Sequence, residues 1–128
     1  MEVNHLTSHA EAPAIDIVLK EKGGHLIVDL ERTWEKNLNQ YKQNLVDIRQ
    51  PKNEKYDKQT MRRLVIKAVL FNAALTKYCR HQKELKEVME EAKSKLEKED
   101  FEVFKVILGK VNPGELPKYK YVRPWNVN

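Results

Sequence analysis

The sequence predicts an all-α fold in the main, a small three- to four-helix bundle. Apolar positions recur every three or four residues over long stretches, which is the period of a helix with one buried face. Charged residues make up 34% of the 128 residues, against only four glycines and five prolines, a balance typical of helices with charged outer faces. We expect a flexible leader over residues 1–14, a single helical domain over 15–110 and an extended tail over 111–128.

Residues 15–30 allow two predictions. Apolar side chains alternate over residues 15–19 and again over 26–30, on either side of Gly23 and Gly24, which is the pattern of a β-hairpin. The apolar spacing from Ile27 onward also continues into the helix that follows, so an N-terminal extension of that helix fits the same residues. The sequence leaves both open.

The first long helix is expected to end near Gln50, because Pro51 disfavours helical geometry at the residue before it. Its apolar residues fall on one face at 100° per residue and predict a stripe packed in the core. The stripe consists of Leu30, Trp34, Leu38, Tyr41, Leu45 and Ile48.

A second helix is predicted over residues 58–81, with Asp57 capping its free backbone amides. It is apolar nearly all round in its middle, which fits either the centre of a bundle or a helix whose second face is covered by a partner. In the second case Ile66, Val69 and Leu70 would be the partner anchors. Asn72 projects from the apolar face, and we expect it to be buried, hydrogen-bonded and responsible for the register of the helices.

The stretch from His81 onward is predicted to continue as a third helix, and a short fourth is predicted around residues 101–108, with a bend or short break near 97–100 where the apolar stripe changes phase. Gly109 is expected to end the fourth helix in the left-handed conformation that glycine adopts easily.

The net charge of +5 is concentrated in two places. Residues 58–81 contain six cations and no acid, and the chain from residue 109 onward contains four cations and one acid, whereas residues 1–30 contain two lysines and five acids. This asymmetry favours an acidic partner, either nucleic acid or an acidic protein surface, and we expect the protein to meet this partner within a larger complex.

No run of about 18 uncharged apolar residues is present, so we expect no membrane partner. The first 25 residues do not resemble a secretory signal. The single cysteine, Cys79, excludes an internal disulfide and fits a reducing compartment, so a cytoplasmic, intracellular location is predicted.

No pattern of residues predicts catalysis. His5 and His9 are four apart, but the leader shows no other helical signal, and we expect no metal site. Cys79 falls on an apolar helix face and is expected to be a core residue. The glycines lack the spacing of a phosphate-binding loop. We therefore expect no catalytic residues, no cofactor and no small-molecule substrate, and predict that the protein is not an enzyme.

The tail alternates cations with aromatic rings in the stretch KYKYVRPW, and its prolines disfavour a helix. Such an arm can lie along a phosphate backbone while its rings stack on unpaired bases. Two other roles fit the same residues: the rings can pack back onto the bundle, or Trp125 can anchor a protein partner.

These observations predict a non-catalytic small helical binding subunit of a nucleoprotein assembly that contains RNA or single-stranded DNA. The alternative is a protein-docking adaptor or inhibitor that uses the second face of helix 58–81 and the tail. The candidate residues for binding nucleic acid or a partner are Arg62, Arg63, Lys67, Lys77, Arg80, Lys118, Tyr119, Lys120, Tyr121, Arg123 and Trp125.

Overall fold

A computed structural model describes residues 14–49 and 57–114, and it confirms the mainly helical fold. A two-stranded antiparallel hairpin precedes four helices in this part of the chain. In chain order the elements are β1 (Leu19–Lys22), β2 (His25–Val28), α1 (Leu30–Arg49), α2 (Lys58–Tyr78), α3 (Gln82–Lys95) and α4 (Lys98–Gly109).

The hairpin settles the alternative that the sequence left open for residues 15–30. Leu19 pairs with Val28 and Lys22 with His25, so only Gly23 and Gly24 connect the strands. Their φ angles are 59° and 80°. Two consecutive positive φ angles are what a tight two-residue hairpin turn needs, and glycine adopts them without a steric penalty.

Helix α1 starts at once after the hairpin, where the Asp29 carboxylate accepts a hydrogen bond from the backbone amide of Arg32 at 3.0 Å. The predicted apolar stripe of α1 packs on the core. Tyr41 and Ile48 are buried, and the other four residues are partly buried and packed against the core: Leu30, Trp34, Leu38 and Leu45. The centre of burial is displaced towards three polar residues, which are Thr33, Asn37 and Asn44.

Two of these polar residues hold the extended segment that precedes the hairpin. The Asn37 side chain donates to the carbonyl of Asp16 at 2.9 Å and accepts from the amide of Asp16 at 3.1 Å. Thr33 Oγ1 accepts from the amide of Val18 at 3.0 Å. Backbone groups that are removed from water need hydrogen-bond partners. The side chains of Asn37 and Thr33 provide these partners for Asp16 and Val18, as a neighbouring strand would in a sheet.

Helix α2 is the centre of the bundle and packs against α1, α3 and α4. The bundle-centre interpretation of its apolar pattern is therefore confirmed. Asn72 is fully buried: it accepts a hydrogen bond from the Asn44 side chain at 3.0 Å and donates to the Tyr41 carbonyl at 3.1 Å. The expected burial and hydrogen bonding of Asn72 are thus confirmed, and its bonds tie α2 to α1.

The helix ends follow most of the predicted signals. The Asp57 carboxylate caps α2 by accepting from the Thr60 amide at 2.7 Å, and α3 and α4 are separated at residues 96–97. The fourth helix ends at Gly109 as predicted, but Gly109 has no positive φ, so the expected left-handed conformation there is wrong. The left-handed helix end is instead at Arg80, with φ of 62°.

Candidate nucleic-acid interface

The five candidate cations of α2 have three different environments. Arg62 is committed to an ion pair: its Nε and Nη2 donate to the two carboxylate oxygens of Asp100, both at 2.6 Å, and Nη2 is 3.8 Å from Glu97. Asp100 is almost fully buried on α4. The guanidinium therefore compensates a buried charge, and it is not available as a free cation for a partner.

Lys77 is also engaged within the bundle. Its Nζ donates to the backbone carbonyl of Leu108 at 2.8 Å, in the last turn of α4. The last carbonyls of a helix lack backbone partners and carry partial negative charge, so a lysine there stabilises the helix end. Lys77 has a structural role that the sequence did not indicate.

Arg80 is exposed, and its backbone ends α2. The amide of Arg80 donates to the Lys77 carbonyl at 3.2 Å, and the amide of His81 donates to the Thr76 carbonyl at 2.9 Å. This pair of bonds is the Schellman motif, which places a left-handed residue just beyond the helix. A side chain costs energy in that conformation, yet the position here is occupied by arginine.

Among the candidate cations, Arg63 and Lys67 are the two exposed residues within α2 that form no salt bridge in the described part of the chain. They are one helical turn apart. Leu64 beside them is 41% exposed, and Phe71, one turn beyond Lys67, is half-buried. We call these four residues, Arg63, Leu64, Lys67 and Phe71, the open face of α2.

Ile66, Val69 and Leu70 do not anchor a partner on this fold. Their exposed fractions are 2%, 0% and 1%, because α2 is covered by α1, α3 and α4 together. The hypothesis that they form an accessible second face is wrong. The sequence pattern alone did not distinguish a central helix from one with a partner on its second face.

Negative charge is gathered on another side of the molecule, between α1 and α3. The pKa of Tyr41 is raised to about 12, first by burial and then by the carboxylates of Glu84 and Glu87. Arg49 at the end of α1 binds Glu91 of α3 at 2.8 Å. Three acids of α3, Glu84, Glu87 and Glu91, thus lie near Tyr41 and Arg49 of α1.

Trp34 closes the junction between α1 and α3. Its ring is stacked on His81, with centroids 3.7 Å apart and planes inclined by 13°, and it contacts the Tyr41 ring at 5.1 Å. Nδ1 of His81 lies 3.7 Å from Glu84. These contacts give His81 a packing role at the start of α3.

The remaining candidates for chemistry have ordinary surroundings. Cys79 is buried, and desolvation raises the pKa of its thiol to about 11, which disfavours the reactive thiolate. Within residues 14–49 and 57–114 no group of three metal-ligating side chains is present, and no helix is long and apolar enough to cross a bilayer. The tail candidates Lys118, Tyr119, Lys120, Tyr121, Arg123 and Trp125, and the pair His5 and His9, lie outside the described residues.

Sequence reasoning missed the polar positions Thr33 and Asn37, which hold the segment before the hairpin. Their spacing of four residues, beside the apolar stripe of α1, is the signal that places both on one flank. In comparisons with known proteins, no family model, no curated protein and no solved structure matches this chain.

Proposed function

We propose that the protein is a non-catalytic binding subunit that contacts RNA or single-stranded DNA through the open face of α2. The observation that supports this proposal is the pair Arg63 and Lys67, which are exposed one turn apart and form no salt bridge within the described residues. Cations one turn apart on a helix can contact phosphates of one strand, and phosphate contacts supply most of the affinity of sequence-independent binding.

The surroundings of the two cations favour a single-stranded ligand. Leu64 and Phe71 add apolar and aromatic surface to the same face, where an unpaired base can lie against a ring. The acids around Tyr41 are positioned on another side, so the charge distribution favours approach of a polyanion to the open face. The rings and cations of the tail, Lys118 to Trp125, extend the same chemistry along the chain.

The proposal is tested by fluorescence anisotropy with a fluorescein-labelled 20-nucleotide U strand, and with the matching dT strand, at 50 and 200 mM NaCl. We expect binding at 50 mM that weakens steeply at 200 mM, because counterions are released from the strand. Arg63→Glu with Lys67→Glu should weaken binding at least tenfold. Arg62 is left unchanged, because its loss would leave the Asp100 carboxylate without its partner and destabilise the fold. A loss of binding in that variant would then not report on a contact with the strand.

The matched control reverses two exposed lysines on the outer side of α3, Lys86→Glu and Lys93→Glu. Both double variants have the same net charge, so a larger loss for the α2 pair identifies a local contact. Equal losses would show only a response to net charge. No binding of either strand at 50 mM NaCl would reject the proposal and favour an acidic protein as the partner of the open face.

A further inference from the structure

The hydrogen bonds of Thr33 and Asn37 fix the direction in which the chain enters the bundle. Asp16 is bonded to Asn37, and Val18 is bonded to Thr33, which lies one turn earlier on α1. The segment therefore runs antiparallel to α1. Followed backwards from Asp16, the chain heads towards the C-terminal end of α1.

The same bonds show on which side of α1 this segment lies. Arg49 and Trp34 contact α3, through Glu91 and His81. On a helical wheel, Thr33 and Asn37 lie on the opposite flank of the buried face of α1. The entering segment is therefore on the side of α1 away from α3.

The open face of α2 borders that side. Lys77 of α2 reaches α4, and Asn72 of α2 binds α1. At 100° per residue, Lys67 falls on the wider of the two arcs between these positions, about 80° from Lys77 and about 140° from Asn72. The open face thus lies between α4 and α1, next to the flank of α1 that holds residues 16–18.

The distances along the helices match the length of the chain before Asp16. Asn72 binds α1 at Tyr41 and Asn44, so it marks the level of residues 42–43. From the level of Asn37 to that of Lys67 is then about 15 Å, at 1.5 Å per residue on each antiparallel helix. Glu11, five residues before Asp16, is about 16 Å away in an extended chain. The distance of about 15 Å runs along the helix axes, and the sideways separation of packed helices, about 8–10 Å, raises the straight-line distance to about 18 Å. The side chains of Glu11 and Lys67 are long enough to span the difference, so an extended leader would bring the Glu11 carboxylate to the Lys67 ammonium.

The charges match as well. Residues 1–13 contain Glu2 and Glu11 and no lysine or arginine, together with the apolar Val3 and Leu6. The tail is a poorer occupant of this face, because its lysines and arginine would face Arg63 and Lys67. We propose that residues 1–13 dock on the open face of α2, with the Glu11 carboxylate beside the Lys67 ammonium, and thereby cover the cations assigned to nucleic acid. The covering role rests on the proposed function, whereas the docking does not.

Docking is tested in the full chain by paramagnetic relaxation. A nitroxide is attached to Leu64→Cys, and the matched control bears it on Val46→Cys, a similarly exposed site on α1. Buried Cys79 should escape labelling. The Leu64 label should reduce the amide signals of residues 2–12 at least twofold, and the Val46 label should not. Equal effects from both labels, or none, would overturn docking.

Two other occupants are separated by the same measurement. Broadening of residues 118–125 in place of the leader would show that the tail covers the face, and the proposal would be wrong. Broadening that appears only between labelled and isotopically enriched molecules in a mixture would show that a second copy does.

A charge swap tests the predicted contact between Glu11 and Lys67. Glu11→Lys alone and Lys67→Glu alone should each abolish the broadening of the leader, because each places like charges together. The double variant Glu11→Lys with Lys67→Glu has the net charge of the original protein and should restore the broadening. Failure to restore it would overturn this pairing.

Covering of the cations is tested by the affinity for the labelled U strand at 50 mM NaCl. Glu2→Gln with Glu11→Gln should tighten binding about threefold or more beyond the control Glu35→Gln with Glu90→Gln, which changes net charge equally. Equal affinities of the two variants would overturn covering. If the leader docks but no variant binds the strand, docking stands and the proposed function fails.

Discussion

Arg80 shows how a single residue can conflict with the conformation of its backbone. The Schellman end of α2 requires a left-handed residue, and glycine is the usual occupant because it has no β-carbon to clash. For an L-residue with a side chain, this conformation costs about 1–2 kcal/mol. Substitution by glycine would remove this cost. Part of the gain would be offset, because glycine also gives the unfolded chain more conformational freedom.

Arg80→Gly should therefore increase the free energy of unfolding by about 0.5–1 kcal/mol. The measurement is urea denaturation followed by circular dichroism. Arg80→Ala is the matched control, since it removes the guanidinium but keeps the β-carbon and should not stabilise the protein. A similar gain for alanine would show that the charge of Arg80, and not its backbone conformation, opposes folding.

At the scale of elements, α4 is held against α2 by the ion pair between Arg62 and Asp100. The Asp100 carboxylate is nearly inaccessible, whereas the Arg62 side chain is 35% exposed. A buried carboxylate without its partner is strongly destabilising, but water that reaches the arginine side reduces the effect.

Arg62→Ala should lower the free energy of unfolding by about 2–4 kcal/mol, because it leaves the Asp100 carboxylate buried without a counter-ion. In an Asp100→Asn background the same change should cost much less, since the buried charge is already removed. Urea denaturation of the four proteins gives the coupling. Independent, additive losses would mean that Arg62 acts through its packing alone.

Element boundaries were predictable because their signals are local. Asp57, Pro51 and the glycine pair act on neighbouring residues of the chain. The roles of buried polar side chains were not predictable in the same way. Asn37 binds a backbone group 21 positions away, and Arg62 binds a carboxylate 38 positions away. Amphipathic periodicity carries no signal for such partners.

The candidate site was predicted only in part for the same reason. The density of cations on α2 was visible in the composition, but their availability depends on which of them the bundle uses for itself. Lys77 and Arg62 have partners on α4, so the α2 candidates that stay available to a ligand are the two cations of the open face. The apolar residues Ile66, Val69 and Leu70 are not part of the candidate site, because the other helices of the bundle bury them.

The whole molecule should lose stability at alkaline pH, because two buried groups keep their protons to a higher pH in the folded protein than in the unfolded chain. Burial raises the pKa of the Cys79 thiol from 9.0 to about 11, and burial with nearby carboxylates raises that of the Tyr41 phenol from 10.0 to about 12. Below about pH 8 both groups are almost fully protonated in either state and have little effect. Between pH 9 and 12 the unfolded chain ionises first, so the equilibrium shifts towards unfolding.

Cys79→Ala should remove the part of this loss that belongs to the thiol, on the order of 2 kcal/mol between pH 8 and 11. The urea midpoint of the original protein should fall over this interval more than that of the variant. Lysine ionisation affects both proteins alike and cancels in the comparison. The variant will start from a lower stability at pH 8, because a small cavity replaces the sulfur. Parallel pH profiles would show that Cys79 ionises in the folded protein as it does in the unfolded chain, which its burial in the core argues against.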